Sequence, residues 1–422
     1  MNIFHKIFVL SLVLLITSCG DGGVAPDLGY APVSEVVFKD KNLEQCVKDT
    51  NQENVFRLSS LTCYNMNIAD LDGINNFTNL SFLSLTRNPI VDISPIEGLK
   101  KLINLEISAT NVTDLSSLSE LRNLTKLRLS GESISDYSSL LSINSLRELV
   151  IINPNITQVS ELPKLVNLTD LRLNNYKNDT ANLDLTGIEG FTKLEILSVN
   201  RFITTGYSSL SHLVNLKKLY FNENDIVDPG QIVSAVEDLV KFSSLSLIDN
   251  NILDISSLSN MHQLEVLNLS ENDIVDYAAL SGMLSLKGLF LRNNNITNID
   301  FLFDLRNQLE DLFLNYNNIH DITILADFKK LSYLRLDYNH ISDVSVLSYI
   351  LTLKNLNLDF NDIGGEGIGN VDDLVSLTNL FTLRFDGNNN ISCSELNTLH
   401  QSEAAVFITP SEVIEGVNCS IP

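Results

Sequence analysis

The stretch "LRLDYNHISDVSVL", Leu334 to Leu347, decides the fold. Its first half alternates: Leu334 and Leu336 face one side of an extended segment, Arg335 and Asp337 the other. Its second half places Ile341, Val344 and Leu347 at steps of three, which suits a turn or a short 3₁₀ segment better than a strand. The same pattern returns at "LSFLSLTRNPIVDISPI", Leu80 to Ile96, and at "LEVLNLSENDIVDYAAL", Leu264 to Leu280. Aligned on Asn339, it recurs at 66, 88, 110, 132, 154, 176, 202, 224, 250, 272, 294, 317, 339, 361 and 388, mostly 22 residues apart.

Such a period means that one unit cannot bury its own apolar face and must stack on its neighbours, with closing elements at both ends. The pattern resembles the bacterial leucine-rich repeat of the internalin type, including the "DIS" second half at Asp92-Ile93-Ser94 and Asp254-Ile255-Ser256. The resemblance covers about residues 55 to 396 and implies an α/β fold: a leucine-rich-repeat solenoid, curved as a right-handed horseshoe. A parallel sheet would line the concave side, with turns and 3₁₀ segments on the convex side. Residues 67–392 are assigned to the repeats.

The asparagine is kept at 88, 224, 250, 272, 294, 317, 339, 361 and 388, where a buried amide can satisfy the free backbone groups of the turn. Met66, Thr110, Glu132, Pro154, Tyr176 and Phe202 replace it elsewhere. That irregularity predicts faster hydrogen exchange between about 130 and 205. The aspartates of the second half (Asp70, Asp92, Asp114, Asp136, Asp228, Asp254, Asp276, Asp321 and Asp343) invite comparison with a calcium ladder. Their place at the start of each convex turn predicts caps on backbone N–H groups instead.

Residues 1–18, with Lys6 ahead of an apolar run from Ile7 to Ile16, read as a signal peptide. The run ends in Ile16-Thr17-Ser18-Cys19, which resembles the lipobox of bacterial lipoproteins. In that family Cys19 would be acylated, and Gly20 after it agrees with sorting to the outer membrane. Residues 19–35 are rich in Gly and Pro and read as a flexible tether. Residues 36–66 form an N-terminal cap with the first repeat, its helix beginning after Asp40; residues 393–422 form a C-terminal cap.

Export makes disulfides available to Cys46, Cys63, Cys393 and Cys419, for which three pairings exist. Cys46–Cys63 and Cys393–Cys419 do not require the two ends of a long array to meet. No C-x-x-C or nearby His pair supports zinc, and "GGEGIG", Gly364 to Gly369, lacks the lysine of a phosphate loop. No cofactor and no metal are expected.

A net charge of -24, from 52 acidic against 28 basic residues, argues against nucleic acid and favours basic partners. No Ser/His/Asp grouping or paired-acid motif emerges, so enzymatic activity is not expected. Function then falls to the concave columns. Candidate ligand-binding residues are Tyr220, Phe290, Arg292, Phe313, Tyr333, Arg335, Asp337, Tyr338, Asp359, Arg384 and Asp386.

Aromatic and arginine side chains are the types enriched at binding hot spots. Asp337, Asp359 and Asp386 should stack as three like charges, to be neutralised by Arg335 and Arg384, a basic partner or a divalent cation. The sequence thus suggests a monomeric, membrane-anchored module of the bacterial cell envelope, on its periplasmic or surface face. It would bind a protein, as in adhesion or host-factor binding. The competing reading is an envelope scaffold or glycan-binding lipoprotein.

Overall fold

A computed structural model describes residues 32–177, 181–364, 371–388 and 391. The signal peptide, Cys19, the Cys393–Cys419 pair, the C-terminal cap and most of the "GGEGIG" run lie outside the described residues. Fifteen parallel strands, from Ser60–Thr62 to Thr382–Arg384, follow one another in sequence order within one sheet. Each is in register with its neighbours by whole units, so that Leu334 pairs with Leu312 on one side and Leu356 on the other. Leu334 and Leu336 point inward and are buried. The return path runs through short 3₁₀ segments such as Ser345–Tyr349, whose Val346 and Leu347 close the same core. The architecture is therefore the α/β repeat solenoid.

The retained asparagines are all buried, and each completes the unit before its own. Asn317 accepts from the backbone N–H groups of Asn294 (2.9 Å) and Ile296 (3.0 Å) and donates to the carbonyls of Leu291 and Leu314 (both 2.9 Å). Asn88 does the same for Met66 and Ile68, and for the carbonyls of Cys63 and Leu85.

Strand length follows this column. Units carrying the asparagine have three-residue strands, as at Phe82–Ser84 and Tyr333–Arg335. Units carrying Thr110, Glu132, Pro154, Tyr176 or Phe202 have longer ones: Asn104–Ile107, Lys126–Ser130, Glu148–Ile152, Asp170–Asn174 and Ile196–Asn200. Ser60–Thr62 is also short, although its unit has Met66; Asn88 reaches back to complete its turn. Where the amide is lost, regular strand pairing extends. This removes the premise for faster exchange between about 130 and 205. Amides from 126 to 200 should exchange no faster than those from 244 to 357. A tenfold excess by exchange mass spectrometry would show that the longer strands do not compensate.

Every convex aspartate named above accepts a hydrogen bond from the backbone N–H two residues on: Asp92 from Ser94 (2.7 Å), Asp228 from Gly230 (2.8 Å), Asp343 from Ser345 (2.9 Å) and the others alike. That donor holds the carboxyls of Asp136, Asp254 and Asp321 below the usual range.

Two features interrupt the convex side. Ala181–Asp184 and Phe202–Thr205 form an extra parallel pair, and helix Gly230–Val236 replaces a 3₁₀ segment. At the N-terminus, helix Lys41–Asp49 buries Leu43, Cys46 and Val47 against the first unit, and Cys46 is bonded to Cys63. The Asp40 carboxylate ties the two together. One oxygen accepts from the N–H groups of Asn42 (2.8 Å) and Leu43 (3.4 Å), the other from Ala69 (2.7 Å) and Asp70 (3.3 Å). Pro32–Glu35, which the sequence assigns to the tether, are docked: Val33 is buried and its N–H donates to the Glu53 carbonyl at 2.8 Å.

Candidate functional site

Because side chains alternate along each strand, the residues flanking the buried leucines form parallel columns on the concave side, with neighbouring strands about 4.8 Å apart. In the N-terminal half these groups satisfy one another. Ser84 donates to Glu106 at 3.0 Å, Lys126 meets Glu148 at 2.9 Å, and Arg172 grips Asp170 through two bonds of 2.9 and 2.7 Å. Tyr220 stands apart from the other candidates, separated from Phe290 along its column by Ser246 and Asn268.

The C-terminal half differs. Phe290 and Phe313 are register neighbours whose rings meet edge to face, with centroids 4.8 Å apart and planes at 79°. Beside them a shallow cleft of about 200 Å³ is lined by Phe313, Tyr333, Arg335, Asn355, Asn357 and Thr382. Tyr333 is 44% exposed, and the Arg335 guanidinium lies 5.8 Å from the centre of the Phe313 ring.

The acidic column is not what the sequence suggests. Asp337 and Asp359 are only 2% and 3% exposed and are not open to a basic partner. Arg335 lies over Asp337 with two bonds of 3.1 and 3.0 Å; Arg384 donates to Asp359 at 2.8 Å and approaches Asp386 at 3.8 Å. Asp359 also accepts from the Asp386 N–H at 2.7 Å. Burial nevertheless pushes its carboxyl above the usual range, against the pull of that N–H and of Arg384. Of the three ways of neutralising the column, the two arginines provide the one observed. Both keep nearly half of their side-chain surface exposed above the buried acids.

Tyr338 belongs to a different group. The residue before each asparagine sits where the chain leaves the strand, and at Tyr316, Tyr338 and Phe360 it has φ of 58°, 55° and 51°. Bulky residues rarely adopt this left-handed backbone, which costs on the order of 1–3 kcal/mol each. Here it sets the three rings in a continuous stack, with centroids 4.2 and 4.4 Å apart. Arg292, paired with Glu271 at 3.3 Å, covers the outer face of Tyr316 with its guanidinium 4.7 Å from the centroid. Gly387 ends the stack, since a Cβ there would lie 2.5 Å from the Phe360 ring. Tyr316, Tyr338 and Phe360 remain 39–48% exposed, presenting mainly their edges. Sequence reading placed Tyr338 among the docking groups but did not foresee this ladder. The clue available was the succession of aromatics immediately before Asn317, Asn339 and Asn361.

One concave carboxylate escaped the sequence reading altogether. Asp311, two residues before Phe313 on the same strand face, lies in register between Gly288 and Tyr333. It is half-buried and has no hydrogen-bond or ion-pair partner among the described residues.

No family model and no curated protein matches the sequence. Solved structures do. An internalin, InlF, from Listeria monocytogenes is 25% identical over 84% of this chain and 98% of its own, with a TM-score of 0.51. A leucine-rich-repeat protein of Leptospira interrogans is 22% identical over 85% of this chain and 91% of its own, with a TM-score of 0.61. The ectodomain of the Arabidopsis thaliana receptor kinase GASSHO1/SCHENGEN3, solved in complex with CASPARIAN STRIP INTEGRITY FACTOR 2, is 23% identical over 82% of this chain and 43% of its own, with a TM-score of 0.53. The chain thus has an internalin-like leucine-rich-repeat fold.

Proposed function

We propose that the protein is a non-enzymatic binding module that holds a protein ligand on the C-terminal half of its concave face. The carrying observation is the cluster of Phe290, Phe313, Tyr333 and Arg335 around the cleft, flanked by the Tyr316–Tyr338–Phe360 stack. Rigid, partly exposed aromatics and arginines lose little freedom on binding, and the ion pairs beneath Arg335 and Arg384 fix those side chains in advance. The receptor-kinase ectodomain with its bound factor shows that this fold can serve such a role in another protein.

Acylation of Cys19 would tether the module to the bacterial envelope, at the outer membrane, where a monomer suffices for adhesion or host-factor binding. A glycan ligand fits the ladder poorly, because sugars stack on ring faces. Both faces of Tyr316 and Tyr338 are already covered.

The test is affinity capture from envelope and host extracts with the full chain as bait. A partner held by the wild type should be lost at least tenfold by Phe313→Ala combined with Tyr333→Ala, and retained by Val275→Ala on the convex side. Equal capture by the concave double variant overturns the assignment of the face.

A further inference from the structure

Asp311 is an isolated anion set in an aromatic surround. Its strand neighbour Gly288 has no side chain, and the Phe290 ring folds into that gap, with Cε2 only 3.1 Å from where a Cβ would stand. On the other side stands Tyr333, in register and exposed; along the strand stands Phe313 on the same face. In an edge-to-face pair only one ring face is used by the contact itself. Phe290 and Phe313 are partly exposed, and neither is sandwiched between two rings as Tyr338 is in the ladder nearby. Ring faces carry the negative lobe of the quadrupole and attract cations. Arg335 already displays that preference against Phe313.

We propose that Phe290, Asp311, Phe313 and Tyr333 form a receptor for a cationic side chain, a lysine or arginine presented by a protein partner. The inference rests on the concave face being the binding face and specifies the chemistry it accepts. One carboxylate with three rings suits a monovalent organic cation, whereas a metal ion would need several oxygen donors. The rest of the molecule agrees: the neighbouring residue is Glu310, and the chain carries a net charge of -24. Burial, followed by the charge of Glu310, raises the Asp311 carboxyl, and a cation placed beside it would favour its charged form.

The experiment is a titration of the full chain, carrying ¹³C-labelled Phe and Tyr rings, with blocked trilysine peptide at low ionic strength, followed by NMR. Saturable ring shifts are expected with trilysine and none with the same peptide acetylated on each Nε. Asp311→Asn should weaken binding at least tenfold, and Glu97→Gln, an exposed acid on the convex side, should not. The asparagine variant removes a half-buried, unpaired charge without changing shape, so it should melt no earlier than the wild type; loss of binding with folding intact is the supporting result. Equal binding by Asp311→Asn, or no shift with trilysine, overturns the cation receptor. If a captured partner is then lost on Phe313→Ala with Tyr333→Ala yet retained on Asp311→Asn, the concave face stands and only this inference falls.

Discussion

Asn339→Ala is expected to lower the unfolding free energy by about 2 kcal/mol, chiefly because one buried backbone N–H is left without an acceptor. That group is the Ile319 N–H, 3.0 Å from the Asn339 side chain; the carbonyls of Leu314 and Leu336, also 3.0 Å away, each lose one donor but keep Asn317 and Asn361 respectively. The Ile319 N–H lies in the core, where water cannot replace the amide. The neighbouring Asn318 side chain is exposed, and Asn318→Ala should change stability by less than about 0.5 kcal/mol. Urea midpoints compare the two, and exchange at the Ile319 amide locates the loss. An Asn339→Ala cost below about 1 kcal/mol would mean that the ladder is ornamental. The effect should be local in origin, because each unit of a solenoid contacts only its neighbours.

Asp40→Ala should cost about 2 kcal/mol, since it removes a helix cap and the acceptor for two N–H groups of the first unit together. The pH dependence gives the sharper signature. Burial works to raise the Asp40 carboxyl, but the N–H groups of Ala69, Asn42, Asp70 and Leu43 overcome it and hold the group below the usual range. A carboxyl depressed in the folded state contributes its stability above its unfolded value, about 3.9, and loses it as pH falls through the folded value. The difference between wild type and Asp40→Ala should therefore stay level from about pH 7 to pH 5 and shrink below about pH 4. A difference that widens on acidification contradicts the assigned role. Exchange at the Ala69 amide would show the cap lifting from the first unit.

The fold was legible because period and alternation are properties of the chain itself. Leu334, Leu336 and Val344 can be assigned to a core without knowing where any neighbour sits, and one register slip would turn them all to water. The asparagine ladder and the convex aspartates were legible for the same reason. The site was less so. Periodicity shows which side of a strand a residue faces, but not whether an adjacent side chain covers it. Asp337 and Asp359 are on the expected face, yet Arg335 and Arg384 lie over them. Asp311 shares that face, but the columns compared in the sequence began at the residue between the leucines and passed it by. Its isolation is a matter of what stands next to it, which no single strand records. The middle of the array taught the converse. Absence of Asn at Thr110, Glu132 and Pro154 suggested weakness, whereas longer strand pairing takes its place.

The backward reach of the asparagines gives the array a direction of assembly. Asn250 supplies the acceptor for the backbone of Asn224 and Ile226, Asn272 for Ile252, and Asn361 for Ile341. A polypeptide delivered N-terminus first, by a ribosome or through an export channel, keeps its newest turn unfinished until the following unit emerges to lock it. Growth of the solenoid is thus a ratchet, and a stall during synthesis leaves one open turn at the growing tip.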